Sequence, residues 1–226
     1  MSKKVEFLNL GLQPLANYYL TKSKLNKKEK KYRLIICYDK KNKLISIKKT
    51  FSSKMMFNNN YPYRSSMSKT MIKSFKDLSN LIKKDFKPKK ILEIGSNDGA
   101  FLKNFKKNKT IGVEPCSNVE KVTKNLNYNT YPEYWTKKLS KKLFKKFGEV
   151  DVIYSANTIS HIKNLDEVFN AINLILSEKG ILILTMNRNT VNKKAKRTLP
   201  DMKGQQTIIE METKTTPTCL TSYLKQ

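Results

Sequence analysis

From residue 89 onward, short apolar runs alternate with amphipathic runs, and this alternation constrains the fold more than any other feature. The apolar runs have the length and the β-branched content of buried strands, and turn residues bound them. The runs between them repeat apolar residues at helical spacing. Strands that alternate with helices pair in parallel, because each connecting helix crosses back over the sheet. The predicted strands are KKILEIG, KTIGVEP, VDVIYSA and GILILTM.

The pattern predicts an α/β fold with a Rossmann-like, doubly wound sheet and a small β-containing unit before it. We assign residues 1–60 to the N-terminal unit, 61–190 to the main domain and 191–226 to a polar tail. QQTIIEMET in the tail has strand character, and the sequence leaves open whether the sheet is complete at its C-terminal end. Other predicted elements are a hairpin of KYRLIICY and KLISIKK, a short strand at NYNTY, and helices over 65–86, AFLKNFKK, SNVEKVTKNL, TKKLSKKLFKKF and NLDEVFNAINLILSE.

Two of the predicted helices carry more detailed expectations. Gly180 is expected to end the helix of NLDEVFNAINLILSE, because glycine commonly follows the last helical turn. The helix over 65–86 has an apolar stripe at helical spacing, which we expect to pack on the core. The residues of that stripe are Met67, Met71, Phe75, Leu78 and Ile82.

ILEIGSNDG is the segment that carries chemistry, because a strand runs directly into a turn with two glycines. Gly95 follows the strand, where a missing Cβ lets the backbone approach a ligand. Gly99 is expected to open a helix whose free N–H groups face the site. Glu114 ends the next strand, at a spacing that suits hydrogen bonds from both hydroxyls of a ribose. A Gly-x-x-x-Gly turn alone is also compatible with an ordinary tight connection.

The polar residues of this turn argue against a dinucleotide cofactor. A pyrophosphate is accommodated by three glycines, whereas Asn97 stands where a middle glycine would be expected. Asp98 would crowd a diphosphate and add charge of the same sign. A cofactor with a cationic, amino-acid-bearing head suits these residues, and its ammonium group could be met by Glu93. The segment therefore favours S-adenosylmethionine (SAM).

These motifs, taken together, resemble those of a known enzyme family. Glu-x-Gly-x-x-x-Gly followed by a ribose acid is similar to the first motifs of class I methyltransferases. More narrowly, the chain resembles the SAM-dependent C-methyltransferases that act on nucleotide-linked deoxysugars. The resemblance runs in order from about Leu10 to about Met186. The matching blocks are LGLQPLANYYL, YPYRSSMS, GSNDG, GVEPCSNV and SANTISHI.

The resemblance implies a methyl transfer to a carbon beside a sugar ketone, with residues 61–190 as the SAM-binding domain. It places Tyr63 and His161 near the sugar, where they would deprotonate or position it. His161, the one histidine of the chain, is equally compatible with a locally satisfied ring at a helix start. Tyr63 by itself would pass for a surface aromatic in a turn. The implied cofactor-site residues are Glu93, Gly95, Asn97, Gly99, Glu114 and Asn157.

The sequence departs from the family pattern at both ends. The family's N-terminal region binds zinc through two Cys-x-x-Cys pairs, whereas here Cys37 is followed three residues later by Lys40. A four-ligand zinc site is therefore not expected, and no other metal ligands are predicted. The family's C-terminal substrate domain, which supplies its main catalytic base, has no counterpart before Gln226.

The net charge of +28 raises the question of a nucleic-acid partner. Lysine supplies most of the positive charge, whereas base and phosphate recognition relies on arginine forks. Nucleic acid is therefore not expected as the main partner.

The chain has no evident signal peptide and no apolar run near the roughly 20 residues of a membrane helix. Three dispersed cysteines fit a reducing cytosol, and we predict a cytoplasmic protein with a small-molecule nucleotide-sugar substrate. The arginines are Arg33, Arg64, Arg188 and Arg197.

Several functions remain open at this point. The first is a SAM-dependent C-methyltransferase of nucleotide-sugar metabolism. The second is a SAM-binding relative without turnover. An RNA methyltransferase and a basic nucleic-acid-binding protein without enzymatic activity are the others. The sugar, the methylated carbon and the oligomeric state are not determined by the sequence.

Overall fold

The computed structural model describes residues 4–41, 44–186 and 207–212. These residues form two compact units, one before and one after the boundary between Pro62 and Tyr63. Every candidate residue of the functional site belongs to the second unit.

The N-terminal unit is a three-stranded antiparallel sheet with a short helix. Its strands are β1 (Lys4–Pro14), β2 (Lys31–Asp39) and β3 (Leu44–Ile47), in the order β1-β2-β3, and α1 covers Ser53–Met56. The predicted hairpin is confirmed, because β2 and β3 pair antiparallel, with Asp39 opposite Leu44. β1 runs through Gly11, where its register against β2 is irregular.

The second unit alternates helices and strands, and most of the predicted elements are confirmed. Its helices are α2 (Lys69–Asp85), α3 (Ser117–Lys124), α4 (Lys137–Phe147) and α5 (Leu165–Ile175). Its strands are β4 (Ile91–Ile94), β5 (Thr110–Val113), β6 (Asn129–Tyr131), β7 (Val150–Ala156), β8 (Leu176–Met186) and β9 (Thr207–Glu212).

The strands of this unit form one parallel sheet in the order β6-β5-β4-β7-β8-β9. The predicted Rossmann-like α/β fold is confirmed. From β4 the chain builds outward through β5 to β6, and it then returns to add β7, β8 and β9 on the other side. The order therefore reverses between β4 and β7, and open α/β sheets bind ligands at such a switch point, beyond the carboxyl ends of the strands.

Alternate residues of each strand enter two separate apolar layers, which explains the continuous apolar runs in the sequence. Leu92 and Ile153 face the layer that contains α4 and α5, whereas Ile91 and Val152 face the layer that contains α2. By the same alternation along β4, Glu93 lies on the face of the sheet that packs against α2. An otherwise apolar strand thus carries one buried carboxyl group on its α2 side.

The predicted helix over AFLKNFKK is wrong. The structure has a single 3₁₀ turn there, Leu102–Asn104, and Phe105 is already extended. Asn104 provides the physical reason, because its side-chain amide donates to the carbonyl oxygens of Ala100 (3.1 Å) and Phe101 (3.0 Å). A side chain that bonds nearby backbone groups competes with helix continuation. Gly99 therefore does not open an α-helix.

Two boundaries also differ from the predictions. α2 begins after Ser68, whose hydroxyl accepts from the N–H of Met71, so Met67 precedes the helix and is 80% exposed. The rest of the stripe packs on the core as predicted. α5 ends at Ile175, and β8 starts directly at Leu176 and continues through Gly180. A register shift in the β7–β8 pairing accommodates the residues between Leu176 and Ile181.

The helices pack on the sheet through one apolar side and present polar side chains on the other. α4 shows this most clearly, because Leu139 and Leu143 are buried, whereas the side chains at 137, 138, 141, 142, 145 and 146 are all lysine. Among the described residues, no helix is both long enough and apolar enough to cross a membrane.

Leu143→Ala should destabilise the second unit by about 2–5 kcal/mol, because it leaves a cavity under α4 where the native side chain is fully buried. Urea unfolding followed by the fluorescence of Trp135, the one tryptophan of the chain, measures the loss. Phe144→Ala is the matched control on the same helix, since Phe144 is 42% exposed and its removal should cost far less. Equal losses in the two variants would contradict the assignment of the α4 core face.

Candidate functional site

The candidate residues of the site follow three neighbouring strands. Gly95 comes directly after β4, Glu114 after β5 and Asn157 after β7. The N–H groups of Gly95 and Ser96 donate to the carbonyl oxygen of Val113, at 2.8 and 3.1 Å. The turn after β4 is therefore fastened to the end of β5, and all three positions lie at the carboxyl edge on the two sides of the switch point.

The glycines of the turn are required by packing inside the protein. Gly95 has a φ of +77°, and a Cβ there would lie 2.1 Å from the hydroxyl oxygen of Thr158. Gly99 has a φ of +74°, and a Cβ there would lie 2.2 Å from the methyl carbon of Thr123. Both positions also need the left-handed conformation that glycine adopts readily. The space that we expected a ligand to approach at Gly95 is thus occupied by Thr158.

Asn97 holds a separate segment of chain against the turn. Its φ of +48° is in the left-handed region that asparagine tolerates better than most residues. Its side-chain oxygen accepts from the N–H of Ser65 at 2.8 Å, and its amide nitrogen donates to the carbonyl oxygen of Tyr63 at 3.2 Å. We refer to Tyr63–Ser66, the four residues held in this way, as the strap.

Asp98 extends the same contact by one residue. Its carboxylate accepts from the N–H of Ser66 at 3.3 Å and from the Ser66 hydroxyl in a short hydrogen bond. Asp98 is 1% exposed, so these bonds form away from water. The polar residues of the turn therefore bind protein, whereas the sequence suggested that they face a cofactor.

Glu114 lies where the sequence placed the ribose acid. Its carboxylate is buried and accepts two backbone hydrogen bonds of 2.9 Å, from the N–H groups of Asn97 and Cys116. Burial raises the pKa of the Glu114 carboxyl, and the two N–H donors counteract part of that rise. The thiol of Cys116 also donates a hydrogen bond to this carboxylate. A carboxylate has about four acceptor positions, so at least one remains for a ligand hydroxyl.

Glu93 has the most isolated carboxyl group of the site. Burial raises the pKa of its carboxyl well above the ordinary value, and the nearby charges of Glu114 and Asp98 raise it further. Its Oε2 is buried and has no hydrogen-bond partner within the described residues. The two ion pairs found in that part of the chain, Lys48–Glu6 and Lys142–Glu133, join other, exposed residues. Three buried carboxyl groups, those of Glu93, Asp98 and Glu114, thus meet here without an ion-pair partner among the described residues.

Asn157 adds a second buried acceptor on the far side of the switch point. Its N–H donates to the carbonyl oxygen of Thr185 at 2.8 Å, which fixes the residue at the end of β7 with a φ of +50°. Its side-chain Oδ1 is buried and makes no hydrogen bond to any described residue. An unsatisfied buried oxygen is costly in a folded protein, which favours a bound donor at this position.

The two predicted catalytic residues, Tyr63 and His161, lie at the same edge of the sheet. Tyr63 is the first residue of the strap and is 47% exposed. His161 ends a 3₁₀ turn, Ile159–His161, that follows β7 and Asn157. The residue is exposed, yet partial burial of its ring lowers the pKa of the imidazole. A lowered pKa increases the neutral fraction that accepts a proton.

Sequence reasoning missed three residues that shape this site. Ser65 and Ser66 donate hydrogen bonds to the side chains of Asn97 and Asp98. Thr158 fills the space that a side chain at position 95 would need. No periodicity or spacing distinguishes such residues, because their partners are remote in sequence. No cluster of three or more potential metal-ligating side chains occurs in the described ranges, and Cys37 and Cys116 are free, buried thiols.

Comparison with solved structures finds partial matches. The crystal structure of Streptomyces venezuelae DesVI matches with a TM-score of 0.40 and 14% identity, over 50% of this chain and 49% of that one. The plantazolicin methyltransferase BpumL, solved with a pentazolic desmethylPZN analog and SAH, matches with a TM-score of 0.40 and 19% identity. That match covers 50% of this chain and 46% of BpumL.

Comparison by sequence gives the family. The C-methyltransferase NovU of Streptomyces niveus is 26% identical over 96 residues, which are 42% of this chain and 23% of NovU. The chain therefore matches less than half of the length of each of these relatives. The sequence profile of a family described as "Methyltransferase domain" matches residues 63–215. Because that match extends over more than half of the chain and includes every residue of the site, the chain belongs to this methyltransferase-domain family.

Proposed function

We propose that the chain binds SAM at the carboxyl edge of its sheet and uses it for methyl transfer. The observation that carries the proposal is the group of three buried carboxyl groups that have no cationic partner in the described part of the chain, together with the Oε2 of Glu93, which has no hydrogen-bond partner there. SAM fits this environment because its amino acid head carries an ammonium group and its sulfur a positive charge. A cationic ligand would stabilise carboxylates that have no counter-charge among residues 4–41, 44–186 and 207–212.

Each residue then has a role that its position supports. Glu114 accepts hydrogen bonds from the ribose hydroxyls through its remaining lone pairs. Glu93 accepts from the ammonium group, and the Oδ1 of Asn157 takes a donor on the opposite side of the switch point. Gly95 and Gly99 keep the turn in the left-handed conformation that brings these residues to one edge.

When bound, SAM supplies an electrophilic methyl group attached to a sulfonium. Formation of a carbon–carbon bond also needs a base that removes a proton from the carbon to be methylated. The enolate that results must be stabilised. His161 suits proton transfer because its lowered pKa favours the neutral imidazole. The phenol of Tyr63 can donate a hydrogen bond to a developing oxyanion. The side chain of Asn97 holds the backbone of Tyr63 beside the turn after β4.

For the acceptor we propose a nucleotide-linked keto-deoxysugar, methylated at carbon. The order of the motifs and the match to the C-methyltransferase NovU support this choice. In this proposal residues 61–190 carry the cofactor site, and residues 1–60 form a separate unit. Mass spectrometry of a nucleotide-linked keto sugar incubated with the protein and SAM tests it, with a gain of one methyl group as the expected result. Binding of S-adenosylhomocysteine (SAH) without any product would favour the SAM-binding relative without turnover.

Glu114→Ala should weaken SAH binding about tenfold or more, because the hydrogen bonding of the ribose to a charged acceptor is lost. Isothermal titration calorimetry gives the affinity, and Trp135 fluorescence confirms that the variant is folded. Glu114→Gln keeps one acceptor oxygen and should lose less. Glu133→Ala is the matched control, because Glu133 pairs with Lys142 at an exposed position. An unchanged affinity in Glu114→Ala would remove the ribose role.

Binding of SAH should release protons, because its ammonium group lowers the pKa of Glu93 from the raised value of the free protein. The complex then binds fewer protons than the free protein, so affinity rises with pH until the pKa of free Glu93 is passed and is constant above it. Titrations at one pH in buffers of different ionisation enthalpy measure the release. Glu93→Gln should abolish it. Equal heats in all buffers for the native protein would contradict this role of Glu93.

A further inference from the structure

Asn97 and Asp98 hold the strap against the turn after β4 (residues 95–99), which we call the cofactor turn. They are the polar residues that argue against a dinucleotide cofactor in the sequence. Asn97 binds the strap on both sides of Arg64, through the carbonyl oxygen of Tyr63 and the N–H of Ser65. Asp98 binds Ser66 through both its N–H and its hydroxyl. These bonds join residues 32 to 34 positions apart in sequence, so they fix how the segment before α2 meets the turn after β4.

Asn97 also connects the strap to the candidate ribose acid. Its backbone N–H donates to the Oε2 of Glu114 at 2.9 Å, while its side chain holds the strap. The left-handed φ of +48° would suit glycine as well. Glycine could keep the backbone bond to Glu114, but it could not hold the strap. Asparagine is the residue that accepts this conformation and supplies both a donor and an acceptor.

We propose that Asn97 and Asp98 are positioning residues that clamp the strap on the cofactor turn and thereby place Tyr63 at the reaction site. The clamp itself follows from the contacts within the protein. A second consequence rests on the proposed function: a cofactor that hydrogen-bonds to Glu114 restrains residue 97 and so stabilises the closed strap. Cofactor occupancy and the position of Tyr63 are coupled through one residue.

Cleavage after Arg64 by an arginine-specific protease tests the clamp, because that bond lies inside the strap. The chain contains three other sites, at Arg33, Arg188 and Arg197, and fragment masses distinguish them. Asn97→Gly should speed cleavage after Arg64 roughly tenfold to thirtyfold, since two buried hydrogen bonds that keep the strap closed are lost. Ser66→Ala, a milder change, should speed it about tenfold through the lost bond to Asp98.

Asn127→Gly is the matched control. Asn127 has a φ of +60° in an exposed turn of the same unit, so the variant makes the same substitution at the same kind of backbone position. Its cleavage after Arg64 should stay at the native rate, as should cleavage after Arg33 in every variant. Unchanged cleavage after Arg64 in both Asn97→Gly and Ser66→Ala would overturn the clamp.

Repeating the cleavage with saturating SAH tests the coupling. In the native protein SAH should slow cleavage after Arg64, whereas in Asn97→Gly it should give no protection at an SAH concentration that saturates the variant. Titration calorimetry establishes that concentration, so a loss of protection is distinguished from a loss of binding. Protection of Asn97→Gly equal to that of the native protein would overturn the coupling. Absence of SAH binding to the native protein would instead refute the proposed function, and the cleavage rates without SAH would still decide the clamp.

Discussion

The hydrogen bond from the N–H of Asn97 to the carboxylate of Glu114 joins the turn after β4 to the end of β5, and the candidate site depends on this connection. It fixes the backbone of residue 97, and the side chain is thereby directed to the strap. A parallel sheet makes the arrangement possible, because the carboxyl ends of neighbouring strands meet at one edge. The same edge collects Glu93 from β4 and Asn157 from the end of β7.

The electrostatics of the site contrast with those of the whole chain. The protein has a net charge of +28, yet three carboxylates are buried together at one edge of the sheet without an ion pair among the described residues. Hydrogen bonds stabilise Glu114 and Asp98, whereas one oxygen of Glu93 has no described partner. Burial, and then the nearby charges of Glu114 and Asp98, raise the pKa of the Glu93 carboxyl well above its ordinary value. A cationic ligand would offset the energetic cost of burying these carboxyl groups, and the proposed cofactor is such a ligand.

Patterns that depend on near neighbours in sequence predicted the structure well. The strands of the sheet were found because their apolar runs are buried on both faces, and Glu93 and Glu114 were located because strand ends mark the ligand edge. The helix predicted after Gly99 does not form, because the amide of Asn104 takes the carbonyl oxygens of the first turn. Met67 left the apolar stripe because the Ser68 cap starts α2 after it. Both outcomes depend on side-chain geometry that spacing does not contain.

By itself, the sequence determined a parallel α/β sheet, a turn with two glycines after the first strand of that sheet and an acid at the end of the next strand. These features follow from apolar periodicity and from the backbone preferences of glycine and asparagine. Only the tertiary structure decided what the side chain of Asn97 does. Its partners, Tyr63 and Ser65, are more than thirty positions away in sequence and come within hydrogen-bonding distance only in the folded chain. The asparagine that argued against a dinucleotide cofactor is, in the fold, the residue that joins the strap to the turn after β4.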